Sequence, residues 1–298
     1  GSSDNASFAV SAEYAERSEL RIKDRDWALR PFPENPSPGG WSSIGNPGSF
    51  FPGVTDGAGG RTLLGAQQPD PNCSVLGGFV GPDNFCRFQY TFFDNLIEDQ
   101  EDTKLFAEVN VDMENGMEFH MEALWHEMDM PEWKTSPSYP PQALLGNDRF
   151  IQANHPGLVD LKAQNPGLFV DRFGVPAAIQ GASTWSRMLG VAGRNGQPES
   201  SYRETRNSRV SLGLTGDLNS DISFDVSLTW SNRERDSGGM DMYIERMAFA
   251  LDGLGGPGCD PASGTPGAGS CEYYNPFSNA IAVSAVTGAQ NPQYNPAV

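Results

Sequence analysis

Met117-Glu-Phe119-His-Met121-Glu-Ala123-Leu-Trp125 alternates apolar and polar residues, with Leu124 the one break. The stretch Leu105-Phe-Ala107-Glu-Val109-Asn-Val111-Asp-Met113 precedes it and is joined to it by Glu114-Asn115-Gly116. A second pair repeats the design. Val210-Ser-Leu212-Gly-Leu214 is followed by the turn residues Asp217-Leu-Asn219-Ser220 and then Ile222-Ser-Phe224-Asp-Val226-Ser-Leu228-Thr-Trp230. Side chains alternate faces along a strand, so each stretch has one apolar and one polar face. Asn115-Gly116 is expected to supply the positive φ angles of a tight hairpin. Within a pair the connection is short; between pairs it runs for tens of residues. Short turns on one side and long loops on the other are the pattern of an outer-membrane barrel.

The expected fold class is therefore all-β: an antiparallel up-and-down transmembrane β-barrel segment, partial and open, with short periplasmic turns and long extracellular loops. One domain over residues 1–298 is expected. Its strands fall at about 6–20, 103–113, 117–128, 207–216 and 221–232, and its loops at about 21–102, 129–206 and 233–298. Phe8, Val10, Ala12 and Tyr14 alternate with Ser7, Ala9, Ser11 and Glu13 in the first strand. Pro31-Phe-Pro33, Asn46-Pro-Gly48 and Phe51-Pro-Gly53 punctuate the first loop and deny it a helix or a central strand. Gly157–Lys162 is compatible with a short helix, and for residues 239–252 the periodicity leaves strand and helix open.

Net charge is −18. So acidic a chain lacks the basic footprint that nucleic-acid binding requires. It is also unsuited to docking on an anionic membrane surface. No run of apolar residues is long enough for a transmembrane helix, which leaves barrel strands untouched. The first residues, Gly1-Ser-Ser-Asp-Asn-Ala6, show no basic segment followed by an apolar one. The four cysteines form two local pairs, Cys73 with Cys86 and Cys259 with Cys271, across turn-rich intervals. Even count and close spacing predict two disulfides in an oxidising compartment. Neither pair has the Cys-x-x-Cys spacing of a zinc site.

If the apolar positions face lipid, parity assigns the lumen set. On the first hairpin it is Lys104, Glu108, Asn110, Asp112, Glu118, His120, Glu122 and His126. On the second it is Arg209, Ser211, Thr215, Ser223, Asp225, Ser227 and Thr229. Glu118, His120, Glu122 and His126 are the ligand-binding candidates from the strands. Trp133, Tyr139 and Trp41 are those from the loops, since exposed aromatics suit stacking on sugars or planar chelates. Trp125 and Trp230 end their strands where an interfacial aromatic girdle would lie. His120 and His126 are six residues apart, about 20 Å on an extended strand, so one ion cannot bridge them. No metal site and no cofactor is expected. Gly253-Leu-Gly-Gly-Pro-Gly258 lacks the helix start and distal acid of a dinucleotide motif. Asp217-Leu-Asn-Ser-Asp221 lacks the glycine and glutamate of a calcium loop. No Gly-x-Ser-x-Gly elbow occurs. Enzymatic activity is not expected.

Several segments resemble TonB-dependent outer-membrane receptors of the proteobacterial type. They are Asp24-Arg-Asp-Trp27, Gly39-Gly-Trp41-Ser42, Asn46-Pro-Gly48, Ser136-Pro-Ser-Tyr-Pro-Pro141 and His155-Pro-Gly157. The most specific is Ala250-Leu-Asp-Gly-Leu-Gly-Gly-Pro-Gly-Cys259, followed by Cys271-Glu-Tyr-Tyr-Asn275-Pro-Phe-Ser-Asn279-Ala-Ile281. The resemblance covers nearly the whole chain and maps to the first half or middle of the barrel domain. It implies location in the bacterial cell outer membrane and contact with outer-membrane lipid. It also implies uptake of a scarce small-molecule nutrient, such as a siderophore, cobalamin or an oligosaccharide, powered by the TonB complex acting through an N-terminal region. Signal peptide, TonB box, plug and C-terminal aromatic strand are not found in these residues, so a barrel fragment is expected. The competing expectation is a secreted, soluble β-rich glycan-binding module with disulfide-stapled loops.

Overall fold

The computed structural model describes residues 1–34, 40–55, 61–63, 67–134, 150–168, 181–187, 201–239 and 243–298. The protein is all-β and mostly antiparallel. It divides into two compact units. The first comprises Gly1–Asp24, Asn95–Thr135 and Ser200–Gly239. Arg25–Asp94, Ser136–Glu199 and Met240–Val298 form the second.

The first unit is a five-stranded meander. Its strands are β1 (Ala6–Arg17), β2 (Gln100–Asp112), β3 (Glu118–Lys134), β4 (Ser201–Asn219) and β5 (Ile222–Gly238). They lie side by side in that order, every neighbour antiparallel. Gly1 folds back on the outer edge of β1 and exchanges both backbone hydrogen bonds with Phe8, at 2.9 and 2.8 Å.

The register decides what each face carries. Val10 stands opposite Ala107, Ala107 opposite Ala123, Ala123 opposite Val210 and Val210 opposite Trp230. The next row runs Phe8, Val109, Met121, Leu212 and Leu228. One face is thus an unbroken apolar band across all five strands. It is open: Val10 is 74% exposed, Leu228 70% and Val226 62%. Among the described residues, every buried hydrophobic side chain lies in the second unit and none in this sheet.

Four strands run on past the stretches that alternation marks, because the hydrogen-bonded ladder outlasts the apolar pattern. Beyond Trp125 and Trp230 the apolar band gives way to charged residues; Asp129 pairs with Glu204, and Glu204 with Asp236. β1 instead stops at Arg17, short of the expected end.

The β2–β3 turn differs from expectation in one respect. Gly116 alone takes a positive φ, +80°, and Asn115 does not. The Gly116 N–H donates to Met113 O at 2.9 Å, and the Met117 N–H to the Asn115 side chain at 3.2 Å. The loop is therefore a three-residue turn closed by a left-handed glycine rather than a two-residue mirror-image turn.

The second unit occupies stretches expected to be loops. Short antiparallel strands run through it: Ser49–Thr55 pairs with Gly181–Trp185, which pairs with Phe150–Gln152. Two helices pack there, α1 (Pro156–Gln164) and α2 (Ile244–Leu251). The core holds Phe50, Ile151, Leu158, Leu161, Met247, Leu251 and Phe277. Both expected disulfides are formed, Cys73–Cys86 and Cys259–Cys271.

The rest of the unit is held by side-chain turns. In Asp70-Pro-Asn72, Asp260-Pro-Ala262, Asn275-Pro-Phe277, Asn291-Pro-Gln293 and Asn295-Pro-Ala297, the first side chain accepts the N–H two residues on. Proline fixes φ while the Asx oxygen closes the turn. Two of these open the repeat Asn-Pro-x-x-Asn, at 275–279 and 291–295. The final asparagine of each donates to Asp160, Asn279 to Oδ2 at 2.7 Å and Asn295 to Oδ1 at 2.9 Å. Burial works to raise the Asp160 carboxyl, but these amides and that of Gln164 outweigh it and hold it below its ordinary range.

Candidate functional site on the polar face of the long sheet

The face opposite the apolar band carries every side chain that parity assigns to the lumen. Asn110, His120, Gly213 and Ser227 share one row; Glu108, Glu122, Ser211 and Thr229 share the next. Cross-strand partners stand about 5 Å apart, close enough to hydrogen-bond.

Two clusters result. In the first, His120 Nδ1 lies 2.6 Å from Asn110 Oδ1 and His120 Nε2 3.5 Å from Glu122 Oε1. Arg209 Nη1 donates to Glu122 Oε2 at 2.8 Å. Closer to the loop end, His126 Nε2 lies 2.8 Å from Asp102 Oδ1, and its Nδ1 faces the Asn207 amide at 3.4 Å. Lys104 Nζ donates to Glu13 at 2.9 Å. His120 and His126 keep separate partners. Among the described residues no three His, Cys, Asp or Glu side chains converge as a metal ion would require. Glu118 stands opposite Asp112 at the turn end of the face.

Between the clusters, Phe106 and Leu124 face one another across β2 and β3. They form an apolar step between the polar rows Glu108–Glu122 and Lys104–His126. With Ser11, Glu13, Lys104, Leu105 and His126 they line a concavity of about 400 Å³. That is the scale of a small-ligand site, with an apolar floor and a rim of charged groups. Parity marked this face as a whole; the step is legible only as the breaks in alternation at Phe106 and Leu124.

The loop candidates lie elsewhere. Trp41 is in the second unit, where its indole N–H donates to Arg30 O at 3.0 Å. Its ring packs edge-on against Phe32 and Phe79. These contacts build the unit and give Trp41 a structural task. Trp133 is in β3, but its side chain lies outside the described residues, as does Tyr139. Of the remaining loop aromatics Trp27 is exposed, while Phe50 is in the core.

The reading from parity left out Arg203, Arg233 and Arg235, which continue the polar face past the band. Thr205 opposes Arg235, and Asn207 opposes Arg233. The signal in the sequence is the alternation Arg233-Glu-Arg235-Asp236, which carries the strand period in charge instead of hydropathy. Compared with protein-family models and with curated proteins, the chain matches none.

Proposed function

We propose that the chain is part of an outer-membrane β-barrel receptor of the TonB-dependent kind, whose polar sheet face lines the path of a small nutrient. The observation that carries this reading is the unbroken, exposed apolar face of a sheet with no buried hydrophobic core. Water would exact a large free-energy cost for such a face, about 25 cal/mol for each Å². Hydrocarbon would not.

The stagger of the landmarks supports the same reading. Tyr14 opposes Thr103, which opposes Glu127, so Tyr14 is level with a residue two beyond Trp125. Trp230 opposes Val210, which opposes Ala123, two residues before Trp125. The aromatics therefore step down by one residue per strand. One residue per strand is about 3.3 Å along the strand for each 4.8 Å across, an angle of about 35°. Barrel strands tilt about 35–45° from the membrane normal, so the three aromatics would lie at one depth, as a girdle does. From Met117 to Trp125 the band covers eight steps, about 26 Å along the strand and about 21 Å once tilted, near the height of a barrel's apolar belt.

On this reading the long strand ends stand in water outside the lipid, and the polar face with its concavity looks into the lumen. The disulfides suit an envelope compartment. The alternative, a soluble glycan-binding module, requires a second sheet over the apolar face. Within the first unit its residues Val10, Val226 and Leu228 stay exposed.

The test uses the tryptophans. The chain is refolded with phosphatidylcholine vesicles carrying doxyl-labelled acyl chains, and quenching is read in Trp125→Phe and Trp230→Phe variants. Quenching of both tryptophans, strongest with labels near the headgroup, is expected. A chain that stays in the aqueous phase, folded and unquenched, would refute the reading.

A further inference from the structure

We infer that the loop end of the β4–β5 polar face is an anion-binding patch, where Arg233 and Arg235 hold a carboxylate or phosphate group of the solute. The inference rests on the proposed lumen reading for its place in transport, but on charge geometry for the binding itself.

Charge is segregated at this end of the sheet. Arg233 and Arg235 point to the polar face, as do Arg203 and Arg209 on β4. The acids of the same segment, Glu204, Glu234 and Asp236, point to the other face. They are held there: the Asn232 amide donates to Glu234 at 3.1 Å, and the Tyr202 hydroxyl to Asp236 at 3.4 Å. On the polar face Glu122 is engaged by Arg209 and, toward the loop end, Asp102 by His126. Among the described residues neither Arg233 nor Arg235 forms an ion pair.

Like charges are also kept together. Arg203 is close enough to Arg235 to feel its charge, with Glu98 the acid that bears on it. Two arginines at i and i+2 on one face lie about 6.6 Å apart, a span that lets two guanidinium forks grip one anion from both sides. Opposite them on β4 stand Thr205, which is buried, and Asn207, whose amide faces His126. Arginine suits this task because its planar fork matches carboxylate and phosphate oxygens two at a time.

The probes are citrate and inorganic phosphate, titrated calorimetrically into the full chain in phosphocholine micelles at low salt. Saturable binding is expected for at least one of them, weakening as sodium chloride rises. Arg233→Gln with Arg235→Gln should weaken it at least tenfold, and Arg233→Lys with Arg235→Lys should retain part of it. Far-UV circular dichroism checks that each variant keeps its sheet. Binding unchanged in the glutamine pair, or no saturable binding by the wild type, would overturn the inference. Vesicle flotation separates this outcome from the wider reading. A chain that floats yet binds neither probe sinks the patch alone. One that binds through Arg233 and Arg235 but never floats upholds the patch and sinks the lumen.

Discussion

Placing arginine at Val226 tests the lipid reading at its most sensitive point. Val226 lies midway between Ile222 and Trp230, the two ends of the apolar run on β5, and opposes Leu214. Its side chain is 62% exposed, so if that face met water the substitution would cost no more than about 0.5 kcal/mol. If the face met hydrocarbon, Val226 would sit near the bilayer midplane, where arginine costs about 2–4 kcal/mol. Ile222→Arg, at the end of the run, should cost about 0–1 kcal/mol. Ser227→Arg, one residue along but on the polar face, should be near neutral. The expected result is therefore a profile with one peak, steep in depth and confined to one parity. Urea titration of the chain refolded in phosphatidylcholine vesicles, followed by tryptophan fluorescence, gives the three values. Equal costs at all three positions would refute the reasoning, whatever their size.

The second unit yields further predictions. Asp70 is fully buried; burial pushes its carboxyl up to about 6, against the N–H groups of Asn72 and Ser278 that favour its charge. A folded value raised above the unfolded one favours folding below pH about 4, and that stability is lost as pH rises through about 6; the span is roughly 3 kcal/mol. His155 has the opposite sign: burial lowers it, so its contribution is present above its unfolded value of 6.5 and is lost as pH falls. Thermal melts across pH 4–8 should thus show Asp70→Asn losing less stability than wild type as pH rises toward 6 while keeping its loss on acidification; an Asp70→Asn profile identical to wild type would contradict this. His155→Ala should destabilise the unit by about 2–4 kcal/mol, since it removes the α1 cap on Gly157 N and opens a cavity beside Tyr273; a loss below 1 kcal/mol in a denaturant titration would count against it. Reducing either disulfide, each closing a loop of similar length, should cost about 3 kcal/mol, read as a lower melting point in dithiothreitol.

How much of this was legible depends on which force shaped each part. The sheet's two faces followed from parity because one apolar stripe was enough to fix register, and a one-residue slip would turn it over. The strand ends did not follow, since Asp129, Glu204 and Asp236 carry no hydropathy signal and only the backbone ladder extends there. α2 stayed ambiguous for a local reason: Tyr243 caps it without a side-chain hydrogen bond, so no start signal exists. α1 was more readable, with His155 and Pro156 at its start. In the second unit, the Asx-Pro pairs at 70, 260, 275, 291 and 295 lay within the expected loops and proved to form turns. Their long-range partners, such as Asp160 with Asn279 and Asn295, have no spacing a single sequence reveals. The arginine patch was missed because lumen parity was followed only as far as the apolar residues lasted.

The two units solve opposite solvent problems, and their coexistence in one chain narrows the setting. The second hides Phe50, Ile151, Leu158 and Phe277 and closes its turns with asparagine, proline and two disulfides, as suits water in an oxidising compartment. The first leaves Phe8, Val10, Leu228 and Trp230 outward, as suits contact with an apolar medium. On the proposed reading the disulfides suit an envelope compartment and the open apolar band suits lipid. A helical membrane protein would need apolar helices, whereas here the apolar residues are spread at period two along strands. The outer-membrane barrel segment proposed above, with large stapled loops, would accommodate both features. On that proposal the concavity at Phe106 and Leu124, and the arginines beyond it, would lie on the side a solute passes.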